Sequence, residues 1–203
     1  MPALHVGIDA MVRLLGLSGS LRSGSYNGAL LRAAAALDIE GVALEIGSIR
    51  GIPLYDGDVE AAEGVPAPVQ ALKERILACD GLLLASPEYN NGIPGVFKNA
   101  IDWLSRPGSD IPRVFGDRPV AVIGASPGGF GTQLAQNAWL PVLRTLGTRT
   151  WQGGRLMVSR ACSVFDGHGD LTDDKVRAQL RSYLQGFASF AAERAASRAQ
   201  GDA

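Results

Sequence analysis

Residues 17–27 read LSGSLRSGSYN, and this stretch decides how the rest of the chain is understood. It holds four serines, two glycines, one arginine and one asparagine between two apolar segments. A tight turn needs one or two such residues. The surplus of small hydrogen-bonding groups points to a ligand. MVRLLGLS before it reads as a buried strand. YNGALLRAAAALD after it carries Leu30, Leu31, Ala34 and Leu37 at helical spacing. A polar loop leaving a strand and entering a helix is where an anion is held, because unpaired N–H groups and the positive end of the helix dipole converge there. Ser20, Ser25 and Asn27 add donors, and Arg22 adds a positive charge suited to a phosphate. A plain serine-rich helix cap, with Arg22 in solvent, is the simpler alternative.

Working outward, strands and helices alternate. VALEIGSI reads as a second strand, followed by a long loop, RGIPLYDGDVEAAEGVPAP. PVQALKERILACD is helical, with Val69, Leu72, Ile76 and Leu77 on one face. GLLLASP is a continuous apolar run, as expected of a strand buried on both faces. Ile93, Val96, Phe97, Ala100, Ile101 and Leu104 form a helical stripe that Pro107-Gly108 ends. PVAVIGAS is a strand, GTQLAQNAWLPVLRTLG a helix kinked by Pro141, and TWQGGRLMVSRA a last strand. The final helix, TDDKVRAQLRSYLQGFASFAAERAA, takes Thr172 as its N-cap. Five strands alternating with five helices predict one doubly wound α/β domain over residues 12–195, after an extension of residues 1–11 and before a frayed tail of residues 196–203. Ligands of such folds bind beyond the carboxyl ends of the strands.

Two further strand ends carry loops of small residues. One is Ser86–Gly95, SPEYNNGIPG, where Asn90, Asn91 and Gly92 tolerate left-handed backbone and Pro87 stiffens the chain. Tyr89 is placed to close one edge of a planar ligand, and Glu88 is the only carboxylate, read also as a cap for its own loop. The other is Gly124–Thr132, GASPGGFGT. Its GASPG matches the nucleophile elbow of serine hydrolases, but the residue after Ser126 is Pro127, which has no N–H for an oxyanion hole. His5 precedes the first strand and His168 sits in a polar loop, so no triad is visible. There is no G-x-x-x-x-G-K-[ST] loop, no dinucleotide fingerprint and no metal-ligand cluster.

Bulk properties narrow the class. The 203 residues are 46% hydrophobic and 19% charged, with a net charge of −1. That balance disfavours a dedicated nucleic-acid binder and a strongly acidic docking protein. No apolar run approaches the roughly 20 residues of a membrane span, and the start lacks the features of a signal peptide, which points to the cytoplasm. Cys79 and Cys162, each beside apolar residues, read as small core side chains.

GSLRSGSYN followed by SPEYNNGIPGVFKNAIDWLSRP resembles the NAD(P)H-dependent FMN reductases, the group that includes bacterial chromate and quinone reductases. IPLYDGDVE and VIGASPGGFGT extend the resemblance over most of the chain, although YDGD departs from the common form at Tyr55 and Asp56, and Met11 stands near the usual family start. The resemblance implies a flavodoxin-like three-layer sandwich, its five-stranded parallel sheet in the order 2-1-3-4-5 with helices on both faces. It implies bound FMN, NADPH or NADH as electron donor, a small-molecule acceptor (quinone, azo, nitro or chromate), and assembly into a dimer or tetramer. Ser18, Gly19, Ser20, Arg22, Ser25, Tyr26 and Asn27 would hold the FMN phosphate. Pro87, Glu88, Tyr89, Asn90, Asn91 and Gly92 would wrap the isoalloxazine, and Ser126 would close the far side. Trp103 would be a subunit-contact anchor or a core residue. Arg106 would meet the NADPH phosphate or a neighbouring subunit, or remain a solvated helix-end arginine. No side chain is expected to carry the hydride, because the flavin does that chemistry in a ping-pong cycle. A flavodoxin-type electron carrier is the alternative.

Overall fold

A computed structural model describes residues 11–201; the extension before Met11, His5 and the last two residues lie outside the described residues. The chain runs β1 (Val12–Ser18), α1 (Tyr26–Ala35), β2 (Val42–Gly47), α2 (Gly57–Glu63), α3 (Ala67–Leu77) and β3 (Gly81–Ala85). It continues through α4 (Gly95–Leu104), α5 (Ile111–Val114), β4 (Pro119–Ala125), α6 (Gln133–Thr145), β5 (Arg149–Thr150), β6 (Met157–Val158) and α7 (Asp174–Gly201). All strand pairs in the sheet are parallel, in the order β2-β1-β3-β4-β5, as expected.

Alternation of side chains across the sheet builds two cores. Val12 and Leu14 of β1, Leu83 and Ala85 of β3, and Ala121 and Ile123 of β4 face α1 and α7. Leu15, Leu17, Leu82, Leu84 and Val120 face the other way, onto α3, α4 and α6. Period-two alternation in strands apolar on both sides is what a central parallel sheet requires. The chain leaves β1 for β2 and returns to β3 on the other side. The strand order therefore reverses between β1 and β3, and a crevice opens at their carboxyl ends.

Several expectations are corrected. The fifth strand is two short pieces, because residues 152–155 leave the sheet between β5 and β6. The long loop after β2 contains α2, which buries none of its residues and so shows no apolar period; Asp56 caps it by accepting from the Asp58 N–H at 2.9 Å. The cap of α7 is Asp173, whose Oδ1 accepts from the Val176 N–H at 2.9 Å, while the Thr172 hydroxyl donates to the Val164 carbonyl. α7 continues as helix to Gly201. Cys79 is buried, and burial pushes its thiol pKa up, but Cys162 is exposed. A 3₁₀ turn over Ala161–Ser163 turns Ala161 inward and Cys162 out.

A second polar network lies under the α4 side. Trp103 is fully buried and its indole N–H donates to the Pro53 carbonyl at 3.0 Å, so it is a core residue of this chain. Arg106 is partly exposed and paired within the chain: its Nε donates to both oxygens of Glu60, at 2.8 and 3.1 Å. That bond holds the Glu60 carboxyl below its usual range. The Tyr55 hydroxyl also donates to Glu60, at 2.9 Å, and this raises the tyrosine pKa. Lys73, fully buried, donates to the Asp110 carboxylate at 2.8 Å and to the Arg106 carbonyl. The departure from the family pattern at Tyr55 and Asp56 is thus absorbed by structure, in a helix cap and a buried-side ion network.

Candidate functional site: a crevice at three strand ends

The three loops converge as the topology requires. One cleft is lined by Ser20, Arg22, Gly24, Ser25, Tyr26 and Asn27 after β1, Pro87, Glu88 and Tyr89 after β3, and Ala125, Ser126 and Pro127 at the end of β4. Gly24 was not singled out in the sequence, although it sits inside a motif that was, and Ala125 and Pro127 are the neighbours of Ser126. Ser18, Gly19, Asn90, Asn91 and Gly92 do not line the cleft; they shape it. The Gly19 N–H donates to the Ala85 carbonyl at 2.9 Å and extends the β1–β3 ladder by one residue. A Cβ at Gly19 would fall 2.3 Å from the Phe97 ring and 2.9 Å from Pro87, so only glycine lets the loop leave β1 along this path. Asn90 and Asn91 both adopt left-handed backbone, φ 49° and 61°, at the tip of a two-residue hairpin. Tyr89 and Gly92 close it with reciprocal N–H···O bonds of 3.1 and 3.0 Å. The hairpin holds Tyr89 across the cleft, its hydroxyl 3.5 Å from the Ser20 Oγ.

The side chains divide into those committed to the fold and those left open. Ser25 caps α1, its Oγ accepting from the Gly28 N–H at 3.2 Å. The buried Asn27 amide ties α1 to β4: it donates to the Ala125 carbonyl and accepts from the Ala125 N–H, both at 2.9 Å. Tyr26 stacks on Phe165 at 5.9 Å. Glu88 does not cap its own loop: its Oε2 accepts from the N–H groups of Leu134 and Ala135 at 2.8 and 3.0 Å. It caps α6, whose own N-cap residue, Thr132, has φ 68° and makes no side-chain cap. Arg22 is exposed and makes no side-chain hydrogen bond or ion pair among the described residues.

These features fit a phosphate at α1. Its first turn contains no acidic residue, Ser25, Tyr26 and Asn27 line the cleft, and Arg22 stands there with no ion-pair partner among the described residues. The wall formed by Pro87–Tyr89 and Ala125–Pro127 beside it suits a flat ring. Fold and site together define a flavodoxin-like protein with a crevice at its switch point. Residues 12–162 match the family model for NADPH-dependent FMN reductase. The chain is 45% identical to an NAD(P)H-dependent FMN reductase of Pseudomonas aeruginosa over 86% of this chain and 92% of that one. It is 34% identical to a 2-hydroxy-1,4-benzoquinone reductase of a Burkholderia species over 87% and 94%. The flavoenzyme NAD(P)H:acceptor oxidoreductase FerB of Paracoccus denitrificans superposes with a TM-score of 0.79 at 31% identity, over 90% of this chain and 98% of that one. The chain belongs to the NADPH-dependent FMN reductase family, and is an NAD(P)H-dependent flavin oxidoreductase.

Proposed function

We propose that this reductase passes electrons from NAD(P)H to quinones, with FMN phosphate held at the N-terminus of α1 and its ring between Pro87–Tyr89 and Ala125–Pro127. The observation that carries the assignment is the contrast between two helix ends on one cleft. α6 is already closed by Glu88, whereas α1 keeps its N–H groups and Arg22 for an outside anion. FMN, when bound, supplies the hydride and two-electron chemistry. The chain's own residues bind and orient. Ser20, the α1 amides and Arg22 fix the phosphate. The Tyr89 hairpin limits one edge of the ring, and the Glu88–α6 bonds keep the loops after β3 and β4 in register. Quinone is favoured as acceptor because relatives in bacteria and in plants, among them an NADPH:quinone oxidoreductase of Arabidopsis thaliana at 35% identity, carry that name.

The same reading takes residues 12–195 as the catalytic domain, working in the cytoplasm as a dimer or tetramer. Exposed Leu54, Tyr55, Val59 and Val96 around α2 and α4 support self-association. Among the described residues no helix is long and apolar enough to cross a membrane. Purified protein loaded with FMN should bleach on anaerobic NADPH addition and recover its visible spectrum on adding a quinone. A bound flavin that NADPH leaves unbleached would instead indicate a passive carrier.

A further inference from the structure

The break in the fifth strand has a built interior. β5 pairs with β4 only at Pro119 and Val120, and β6 only at Gly124 and Ala125. Between them the chain swings outward and leaves an open cavity of about 330 Å³ against Val122. The Val122 carbonyl, without a strand partner on that side, accepts from the Tyr183 hydroxyl at 2.9 Å. Trp151 is clamped beside it, 4.7 Å from the Tyr183 ring and 5.9 Å from Phe187. A Cβ at Gly153, Gly154 or Gly186 would come within 2.9 Å of its indole, so the outward loop closes tightly on the ring. The buried Gln136 amide ties this wall to α6, donating to the Thr132 hydroxyl and the Leu156 carbonyl, both at 3.1 Å. Gln133, Asn137, Gln152 and Arg155 line the mouth. Among the described residues none of these four side chains has a hydrogen-bond or ion-pair partner. No Asp or Glu lines the cavity, and Arg155 is its one charge.

We propose that this cavity receives the adenosine end of NADPH, with Arg155 meeting the 2′-phosphate; the inference rests on the NAD(P)H-dependent reading above. Carboxamides match the donor–acceptor edge of adenine. A guanidinium without a counter-charge matches a phosphate in bidentate geometry. The position suits a dinucleotide whose nicotinamide must reach the flavin crevice. Val122 lines this cavity and Ala125 lines the crevice. The two are three residues apart on β4, about 10 Å along the strand. Gln133, at the mouth, directly precedes Leu134, whose amide Glu88 holds.

The test is calorimetric titration of the FMN-loaded enzyme with 2′,5′-ADP. The wild type should bind it, Arg155→Ala should bind it about 10-fold more weakly, and 5′-AMP should bind weakly and ignore the substitution. The ratio of KM for NADPH to KM for NADH should rise by a similar factor in Arg155→Ala. Absence of 2′,5′-ADP binding, or equal binding by the variant, would overturn the assignment. So would binding to the apoprotein that FMN abolishes, because that places the nucleotide in the flavin crevice. Failure of the FMN reading would show separately, as no flavin retained, while 2′,5′-ADP binding to the apoprotein would still report on the cavity.

Discussion

The N-termini of α1 and α6 follow β1 and β4, the two strands that flank β3, and they are finished in opposite ways. At α6 a carboxylate from another loop, Glu88, takes the two N–H groups that open the helix. At α1 the serine cap uses one N–H, no acidic side chain enters the first turn, and Arg22 waits beside it. One helix end is satisfied within the fold, and the other is the end proposed to take the FMN phosphate. Both carry the same partial positive charge, so the difference lies in which loop supplies an anion. The Glu88 carboxylate is therefore a clamp between loops, and in the proposed reading the loop after β1 takes the ligand charge.

Asn27→Ala should give the largest effect, because it strips the Ala125 N–H and carbonyl of their buried partner and unlinks α1 from β4. We expect a loss of about 3 kcal/mol in urea denaturation of the apoprotein; a loss near zero would mean that the open end needs no internal tie. Arg22→Ala acts on the ligand and not on the fold. FMN affinity should fall by roughly 30-fold, about 2 kcal/mol, with apoprotein stability unchanged. Glu88→Ala should show the reverse emphasis: about 1 kcal/mol of apoprotein stability lost as the α6 cap goes, with Glu88→Gln intermediate. If Glu88→Ala left stability intact and Arg22→Ala lowered it, the two ends would have to exchange roles. Acid gives the smallest and most diffuse test. Glu60, Asp110 and Asp166 have depressed native pKa values, set by Arg106, by Lys73 and by loop N–H groups respectively. Their contribution is present above the unfolded carboxyl range of about pH 4 and is lost as pH falls through the lower native values. Apoprotein stability should therefore hold level from neutral pH to about pH 5 and decline below it. Glu60→Gln should flatten part of that decline.

The sequence made the fold legible wherever pattern and element coincided. β3 is an unbroken apolar run and is buried throughout. It also placed Ser20, Arg22 and Ser25 in the crevice, because the strand–loop–helix context is local. The uses of Asn27 and Glu88 were not legible. Their partners, Ala125 and Leu134–Ala135, are 98 and 46–47 residues away and are backbone groups with no side-chain signature. α2 escaped notice because it buries nothing. The split of the last strand was hidden because Trp151 and Leu156–Val158 read as one apolar segment, and the two glycines between them mark a clamp on Trp151.

The most direct measurement compares the affinities of the wild-type apoprotein for FMN and for riboflavin by quenching of flavin fluorescence. The two ligands share a ring and differ in the phosphate. If the α1 end is completed by that phosphate, FMN should bind at least 10-fold more tightly. Equal affinities would contradict the account and move the anion, and the role of Arg22, away from this crevice.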